Sequence, residues 1–329
     1  MFFKWLVKRR QKTKKTELGV LDKKVSLWIP LLLLFPSFIA ILLFTIFPFF
    51  MVTEKAFFPL EDKKDIFSGT YFGFSEFEKL FNTQPFIIGL RNSFLYSIIS
   101  LPLSLLISLI ISTAIVFVYN KIARGFWQTI FFLPYVTSSV AVSVAFIYIL
   151  DSSTGILNKI LGVNIEWLNK KQTDNFNALG SILIYGVWRN LAFNVLILST
   201  AMLSIDKTLY KAASIDGANP VTQFFKITLP SIKKTINFLL TVGILGGLQV
   251  FPLALFENNP DQAIANGGST ILIYIFKALE SDTALAAAAT VILFVLGVLY
   301  GTFLRQSINF IDALILRVKI KYVRFKAKI

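Results

Sequence analysis

Four polar or aromatic side chains stand together within an otherwise apolar stretch, residues 180–203. Asn190 and Asn194 are one helical turn apart, Trp188 supplies a flat ring, and Arg189 is the one charged residue of the stretch. Amides and an aromatic ring can hydrogen-bond a polar solute and pack against a sugar ring, which is binding chemistry rather than covalent chemistry. The alternative is structural: the amides bond helix to helix, and Trp188 anchors at a membrane interface.

Reactive side chains are scarce. The 329 residues include no His and no Cys, so the chain has neither an imidazole base nor a thiolate. No stretch follows the G-x-x-x-x-G-K-[ST] pattern of a phosphate-cradling loop. We therefore predict no catalytic residue, no metal site and no bound cofactor, and any nucleotide hydrolysis must take place on another polypeptide.

A second polar segment, residues 209–230, lies between two long apolar stretches. Its first part has small and polar residues at i, i+3, i+4 and i+7, which predicts a short helix with a smooth face that another surface can approach closely. Gly217 follows and supplies the left-handed conformation that ends such a helix. The residues of the face are Leu209, Ala212, Ala213 and Asp216.

The second part of this segment predicts another short helix. Asn219 and Pro220 have the types expected for the N-cap and first helical residue. Phe224 and Ile227 share one face, and Pro230 is expected to stop the helix. Two such helices would form a plug for a groove on a partner. A surface helix with its lysines among lipid headgroups is an equally good interpretation of the local pattern. Those lysines are Lys207, Lys211 and Lys226.

The elements that position these residues are membrane spans. Apolar residues make up 55% of the chain, and 34 of the 329 residues are Phe. This composition is typical of a membrane protein. Runs of about 20 residues or more can cross a hydrocarbon core of roughly 30 Å, and lipid permits them only as helices or closed barrels. The sequence predicts an all-α integral membrane protein with six transmembrane helices at about 28–50, 92–119, 127–150, 180–203, 235–256 and 285–308.

Charge in the connections predicts the orientation. The two ends of the chain and the connections after the second and fourth spans carry 23 Lys and Arg, with Arg305 near the end of the last span included, against 5 acids, whereas the other connections carry 9 and 13. Lys and Arg are retained in the cytoplasm, so both termini and residues 209–230 are expected there. The sequence thus predicts a basic tail at 1–27, a transmembrane domain at 28–308 and a second basic tail at 309–329.

The net charge of +15 also raises the question of nucleic-acid binding. The positive residues flank membrane spans, where anionic lipid headgroups account for them, so no nucleic-acid partner is expected. A secondary carrier would need an intramembrane proton or sodium site, yet no Asp, Glu or His lies in the predicted spans. The fifth span instead carries a small-residue patch suited to helix packing, with Gln249 nearby as a less supported solute contact. The patch comprises Gly243, Gly246 and Gly247.

Residues 209–230 resemble the "EAA" loop of permease subunits of ATP-binding-cassette importers. That loop reads Glu-Ala-Ala, then Asp-Gly-Ala, then a Phe and a closing Leu-Pro. Lys211 stands where the family has its Glu, which reverses the charge offered to an ATPase. The matching positions are Ala212, Ala213, Asp216, Gly217, Ala218, Phe224, Leu229 and Pro230.

Looser features extend the resemblance over residues 90–305 to the maltose and glycerol-3-phosphate type permeases. The sequence of residues 215–218, Ile-Asp-Gly-Ala, favours carbohydrate importers. Arg189 would instead suit an anionic phosphate, so the sequence does not decide between a carbohydrate and a phosphate ester as the solute. The family's Gly-Gly-Pro segment matches partly at both 258–260 and 267–269, which leaves that alignment open.

The resemblance implies partners and a location. It implies a second, unlike permease subunit, two ATPase subunits that hold ATP and Mg, and an extracytoplasmic solute-binding protein. It places the chain in a bacterial inner or plasma membrane, with residues 209–230 transmitting motion between the ATPases and the membrane helices. An ATP-independent secondary carrier is the more distant alternative.

Overall fold

The computed structural model describes residues 28–58 and 72–326; of Leu245 and residues 308–326 it describes the backbone alone. The basic N-terminal tail predicted at 1–27 lies outside the described residues. Two compact units divide the chain, Met1–Met51 and Val52–Ile329. Every regular element in the described residues is helical. The all-helical part of the prediction is therefore confirmed.

The helices are numbered here in chain order. Leu42–Ile46 within α1 and Phe224–Thr228 after α9 are π-helical turns, and Leu253–Phe256 is a 3-10 turn. The helices are α1 Trp28–Phe57, α2 Ser75–Phe81, α3 Gln84–Phe117, α4 Lys121–Val136, α5 Ser139–Ile149, α6 Ile156–Leu161, α7 Asn177–Leu203, α8 Lys207–Ile215, α9 Pro220–Gln223, α10 Leu229–Ser231, α11 Lys233–Gly247, α12 Pro260–Ala265, α13 Ile271–Ser281 and α14 Thr283–Lys326.

Four helices of the described chain are long and apolar enough to cross a membrane: α1, α3, α7 and the part of α14 from Thr283 to Ser307. A fifth crossing is added if α4 and α5 count as one span. Those two helices meet at an angle of 96°, so the stretch predicted as a span at 127–150 is a bent pair of helices rather than one continuous helix. The chain turns at Thr137 and Ser138, whose extended backbone follows Pro134 by one helical turn.

The predicted fifth span at 235–256 also differs from the structure. Helix α11 ends at Gly247, and residues 248–252 form a turn before the 3-10 turn Leu253–Phe256. Adjacent glycines at 246 and 247 weaken a helix, and Pro252 lacks the amide hydrogen that would continue it. Hydropathy does not reveal either effect, because residues 235–256 are on average as apolar as a transmembrane helix.

The second span begins earlier than predicted. Helix α3 starts at Gln84 rather than at 92 and ends at Phe117 rather than at 119. Pro85 occupies its first turn, where a missing amide hydrogen has no cost, and Arg91 lies within the helix and pairs with Asp174. Helix α7 begins three residues before its predicted start at 180. Helices α1 and α14 continue past their predicted ends, to Phe57 and Lys326, so most of the tail predicted at 309–329 is helical.

Within Val52–Ile329, three hydrophobic clusters hold the helices together. The first joins α5, α7 and the 3-10 turn around Phe146 and Ile182. The second joins α3, α13 and α14, and it includes the buried alanines 286–289. The third joins α3, α7 and α11 around Leu198 and Leu239. Helix α3 therefore contributes to packing on several sides, and its buried serines let its neighbours approach closely.

Candidate functional site

A polar cavity of about 240 Å³ lies between α3, α7 and α11. Helix α7 contributes Asn190 and Asn194 to its wall, and α3 contributes Tyr96, Ser100 and Ser104. Apolar side chains and glycines of α11 complete it, and none of the charged residues that the structure describes lines it. The wall therefore offers hydroxyl and amide groups on an apolar background, the composition of a site for a small polar ligand.

The polar groups of this cavity differ in how well they are satisfied. The Tyr96 hydroxyl has Ser100 and Asn190 as hydrogen-bonding neighbours, and Ser104 donates to the Leu101 carbonyl at 3.1 Å. Within the described part of the chain, the half-buried amide of Asn194 forms no hydrogen bond. An amide with two donors and an acceptor that lines a cavity is available to a ligand.

Glycines set how closely the walls approach one another. A Cβ at Gly247 would lie 3.0 Å from the Cβ of Ser97, and a Cβ at Gly243 would lie 2.8 Å from Cδ1 of Leu101. On the opposite wall, a Cβ at Gly186 would overlap the ring of Tyr96. Two of the patch glycines thus pack inside this chain, as close helix contact requires. Gly246 has no atom within 4 Å of such a Cβ and lines the cavity instead.

Of the residues that the sequence proposed for a solute pathway, the structure brings two to this cavity. Asn190 and Asn194 line it, whereas Trp188, Arg189 and Gln249 do not. The Trp188 ring packs on Phe146 with centroids 5.2 Å apart, and half-buried Arg189 donates to the Tyr185 hydroxyl at 3.3 Å. Gln249 is exposed in the turn after α11. In this conformation, therefore, Trp188, Arg189 and Gln249 are not placed to contact a ligand in the cavity.

The sequence analysis missed the α3 wall of the cavity. A signal was present, because α3 carries serines three or four residues apart along one face. Isolated serines in an apolar helix fit close packing equally well, so the spacing alone does not distinguish a cavity from a contact. The six buried serines are Ser93, Ser97, Ser100, Ser104, Ser108 and Ser112.

The short-helix segment, residues 206–231, is built from local capping chemistry. The Asp206 carboxylate accepts from the Thr208 amide and begins α8, and the Asn219 side chain accepts from the Thr222 amide and begins α9. Gly217 joins them with φ of +73°, the left-handed conformation predicted for it. Hydrogen bonds from the backbone amide and the hydroxyl of Thr208 lower the pKa of Asp206, since they favour the charged carboxylate.

Hydrogen bonds hold the two short helices in a fixed relation. Gln223 donates to the Ser214 hydroxyl and to the Ala218 carbonyl, each at 3.0 Å, and the hydroxyls of Tyr210 and Thr228 are 2.8 Å apart. These bonds tie α8 to α9 and to the π-helical turn that follows. The segment is therefore a defined structure rather than a loose loop.

The segment presents an apolar surface. Leu209, Ile215, Val221 and Phe225 are exposed, at 49, 87, 65 and 61%. The sequence analysis placed Phe224 with Ile227 on one face of the second short helix, as part of a plug for a partner. In the structure Phe224 packs against the cluster formed by α3, α7 and α11, and the exposed ring is that of Phe225.

The remaining positions matched to the loop motif also have defined places. Ala212, Asp216 and Lys211 are exposed, and Ala213 and Ala218 are half-buried. Pro230 was expected to stop the second short helix, but it does not. It lies in the first turn of α10, where its missing amide hydrogen is tolerated, and the helix is interrupted at Ile232 instead. Leu229 begins α10.

Another polar cluster fixes the opposite end of α3. The amide of Asn92, fully buried, donates to the carbonyls of Gly267 and Ser269 at 2.9 Å each. Ser93 accepts from the Ile271 amide, while Arg91 pairs with Asp174. These contacts attach the turn before α13 to α3. They also explain the two partial motif matches, since residues 258–260 begin α12 and residues 267–269 form this buried turn.

Surface ion pairs and caps account for the other electrostatic features. Lys277 donates hydrogen bonds to the carboxylates of Asp261 and Glu280, which raise its pKa. Backbone and hydroxyl donors of Thr154 and Ser153 hold the pKa of Asp151 well below its usual range. Across residues 28–58 and 72–326, no group of three or more acidic side chains is arranged to hold a metal ion.

Comparison with known proteins gives a consistent result. Residues 104–309 match the family described as "Binding-protein-dependent transport system inner membrane component". A "Probable ABC transporter permease protein MG188 homolog" of Mycoplasma pneumoniae is 58% identical over 325 residues, 98% of each chain. The "sn-glycerol-3-phosphate transport system permease protein UgpA" of Pectobacterium atrosepticum is 27% identical over 87% of this chain and 97% of its own.

Solved structures agree with these relatives. One chain of a "bacterial ABC transporter involved in the import of the acidic polysaccharide alginate" is 26% identical and has a TM-score of 0.66, covering 85% of this chain and 94% of that one. The same type of transporter "in complex with alginate pentasaccharide-bound periplasmic protein" gives a TM-score of 0.65 at 26% identity, with coverage of 84% and 92%.

Proposed function

The chain belongs to the family of binding-protein-dependent transport system inner membrane components, and from that premise we propose that it forms half of the solute pathway of an ATP-driven carbohydrate importer. It is a multi-pass membrane protein and a sugar-type ABC transporter permease. The observation that carries the finer proposal is the uncharged polar cavity between α3, α7 and α11.

The cavity matches a neutral polyhydroxyl solute. Its hydroxyl and amide groups can donate and accept in the pattern that sugar hydroxyls require, and its apolar wall, which includes Phe193, can contact the faces of a sugar ring. A buried anion would need a paired cation, and the wall supplies none. Because six helices make only part of a pathway, the solute site would be completed by a second, unlike permease subunit.

An anionic solute such as sn-glycerol-3-phosphate is the second candidate. It is the solute named for UgpA, and alginate is named as acidic. Arg189 lies one residue from Asn190 and is half-buried, so a change of rotamer could bring its charge to the cavity. Transport of a phosphate ester in preference to neutral sugars would decide for this candidate.

Six crossings with both termini in the cytoplasm fit the described helices. To the four long helices and the bent pair α4 and α5, this proposal adds α11 as a short crossing. Its 15 residues rise only about 22 Å, less than the hydrocarbon core, so residues 248–256 would complete the passage. Non-helical backbone at that depth is tolerated where it lines a cavity, and Val250 lines this one.

In this orientation the short-helix segment faces the cytoplasm, where two ATPase subunits with ATP and Mg would receive it. Its exposed apolar side chains, led by Ile215 and Phe225, would insert into a groove of the ATPase. A solute-binding protein on the other side would deliver the solute, as the alginate complex suggests. This chain would hold no cofactor and hydrolyse no ATP, and its helices would open alternately as the ATPases close and separate.

Reconstitution of the assembled transporter tests this proposal. The chain, its permease partner, the ATPases and the binding protein are placed in proteoliposomes, and uptake of neutral oligosaccharides and of sn-glycerol-3-phosphate is measured with and without ATP. We expect ATP-dependent uptake of a neutral sugar. Uptake that proceeds without ATP would instead indicate a secondary carrier.

A pair of variants tests the site itself. Asn194→Ala should raise the KM for solute about fivefold or more, since a lost hydrogen bond in a site costs about 1 kcal/mol or above. Asn237→Ala is the control, because Asn237 is an amide of α11 that does not line the cavity. Equal effects of the two variants, or lowered stability without a change in solute preference, would assign Asn194 to packing.

A further inference from the structure

A second and larger cavity, of about 630 Å³, opens where α3 and α7 end. It is bounded by the connection between α3 and α4, by the start of α8 and by α9 with its π-helical turn. Three cations line it, Lys121, Arg124 and Lys207, and no acidic residue does so within 28–58 and 72–326. We call it the basic cavity. Its volume lies within the range of about 300–1,000 Å³ of pockets that hold a small ligand.

The three cations have no counter-charge of their own. None of them forms a salt bridge with another residue in the part of the chain that the structure describes. Lys121 and Lys207 are moreover the first residues of α4 and α8. The helix dipole disfavours a cation at that end of a helix and favours an anion. Three elements thus bring positive charge to one cavity, and only an anion would offset it.

Much of the rest of the wall is apolar, although Thr113, Gln223 and Thr228 also line it. Val116, Phe117 and Met202 line the cavity at the ends of two membrane-spanning helices. Phe117 and Tyr119 are 70 and 101% exposed, and aromatic residues at the ends of spans are typical of the boundary between hydrocarbon and headgroups. A ligand that fills this cavity therefore needs an anionic group beside an apolar body.

We propose that the basic cavity binds an anionic phospholipid. Its phosphate would lie among Lys121, Arg124 and Lys207, and its upper acyl chain would lie along Val116 and Phe117. Such a lipid would also contact Tyr210 and Phe224, so it would connect the short-helix segment to the α3–α4 connection. Lipid binding here does not depend on which solute is carried or on the ATPases.

Native mass spectrometry of the full-length chain in a mild detergent tests the proposal. The chain is freed of lipid and titrated with phosphatidylglycerol or with phosphatidylcholine of the same acyl chains. The variants Arg124→Gln and Lys207→Gln each remove one cation from the cavity. Lys234→Gln is the matched control, because Lys234 is an exposed cation of the same basic connection that does not line the cavity. Arg124→Lys restores the charge.

We expect one phosphatidylglycerol to bind at a concentration about tenfold lower than phosphatidylcholine. Each Gln variant at the cavity should weaken binding about fivefold, the loss expected when one cation near an anionic membrane surface is removed, while Lys234→Gln and Arg124→Lys should bind as the wild type does. Equal binding of the two lipids, equal loss in Lys234→Gln, or displacement of the lipid by inorganic phosphate would each overturn the proposal. Melting temperatures of the lipid-free variants show whether a loss of binding reflects misfolding.

Discussion

Gly217 connects the two short helices with φ of +73°, and its replacement isolates the role of that turn. No heavy atom lies within 4 Å of a Cβ built at this position, so Gly217→Ala meets no steric neighbour. What remains is the cost of holding an L-residue in the left-handed region, about 1–2 kcal/mol. That energy corresponds to a change of about 5–30-fold in the ratio of ordered to disordered turn, which is the largest fall in the population of the ordered turn that the variant can cause.

The assay is solute-stimulated ATP hydrolysis by the reconstituted transporter. If the ATPases engage only the ordered segment, the stimulated rate at limiting occupancy falls by up to the same factor of about 5–30 in Gly217→Ala. Gly217→Asn should lose much less, because Asn tolerates this conformation. Gly297→Ala is the control: Gly297 lies in α14 with normal helical φ and open space around it.

Two results would refute the reasoning. Gly217→Ala with wild-type stimulation would show that the turn need not keep its conformation for coupling. Equal losses in the Ala and Asn variants would show that the loss does not arise from backbone conformation. Copurification of the ATPases with each variant establishes that the complex still forms.

Three further predictions concern other positions. Asn92→Leu leaves two buried carbonyls without their donor and should lower the free energy of unfolding by about 2 kcal/mol or more, which a thermal melt in detergent measures; an unchanged melting temperature would contradict this. Lys211→Glu should impair coupling if an acidic ATPase residue matches Lys211, and an unchanged transport rate would reject that match. The pKa of Asp206 is lowered from 3.8, so its carboxylate cap should stabilise α8 above about pH 4 and lose this stabilising effect as the pH falls further. Hydrogen exchange of the α8 amides should therefore become faster at low pH in the wild type. It should not do so in Asp206→Asn, because Asn caps a helix without titrating.

The short-helix segment was the part of the structure most accessible from sequence. Asn219 with Pro220, and Gly217 before them, act through contacts two or three residues away, so their types specify the local backbone. Local sequence could not predict which aromatic ring, that of Phe224 or that of Phe225, is directed toward the core. Phe224 turns inward because a π-helical turn and the cluster of α3, α7 and α11 receive it, and both depend on distant residues.

The membrane helices show a similar division. Apolar length correctly indicated α1, α3, α7 and α14, because insertion depends on hydropathy summed over many residues. It did not reveal the bend between α4 and α5 or the early end of α11, since neither changes hydropathy. The cavity wall from α3 was missed because Ser100 and Ser104 gain their meaning only from the gap opposite them.

Gly186 lies behind Tyr96 and does not itself line the polar cavity. Any side chain there would overlap the tyrosine ring and displace it, and a displaced ring changes the shape of the cavity that Tyr96 lines. The shape of the cavity is therefore controlled from a residue that no solute touches. Related permeases can then differ in the solutes they accept through a substitution at the position of Gly186, with every solute-contacting residue unchanged. A comparison confined to the contacting residues would overlook such a substitution.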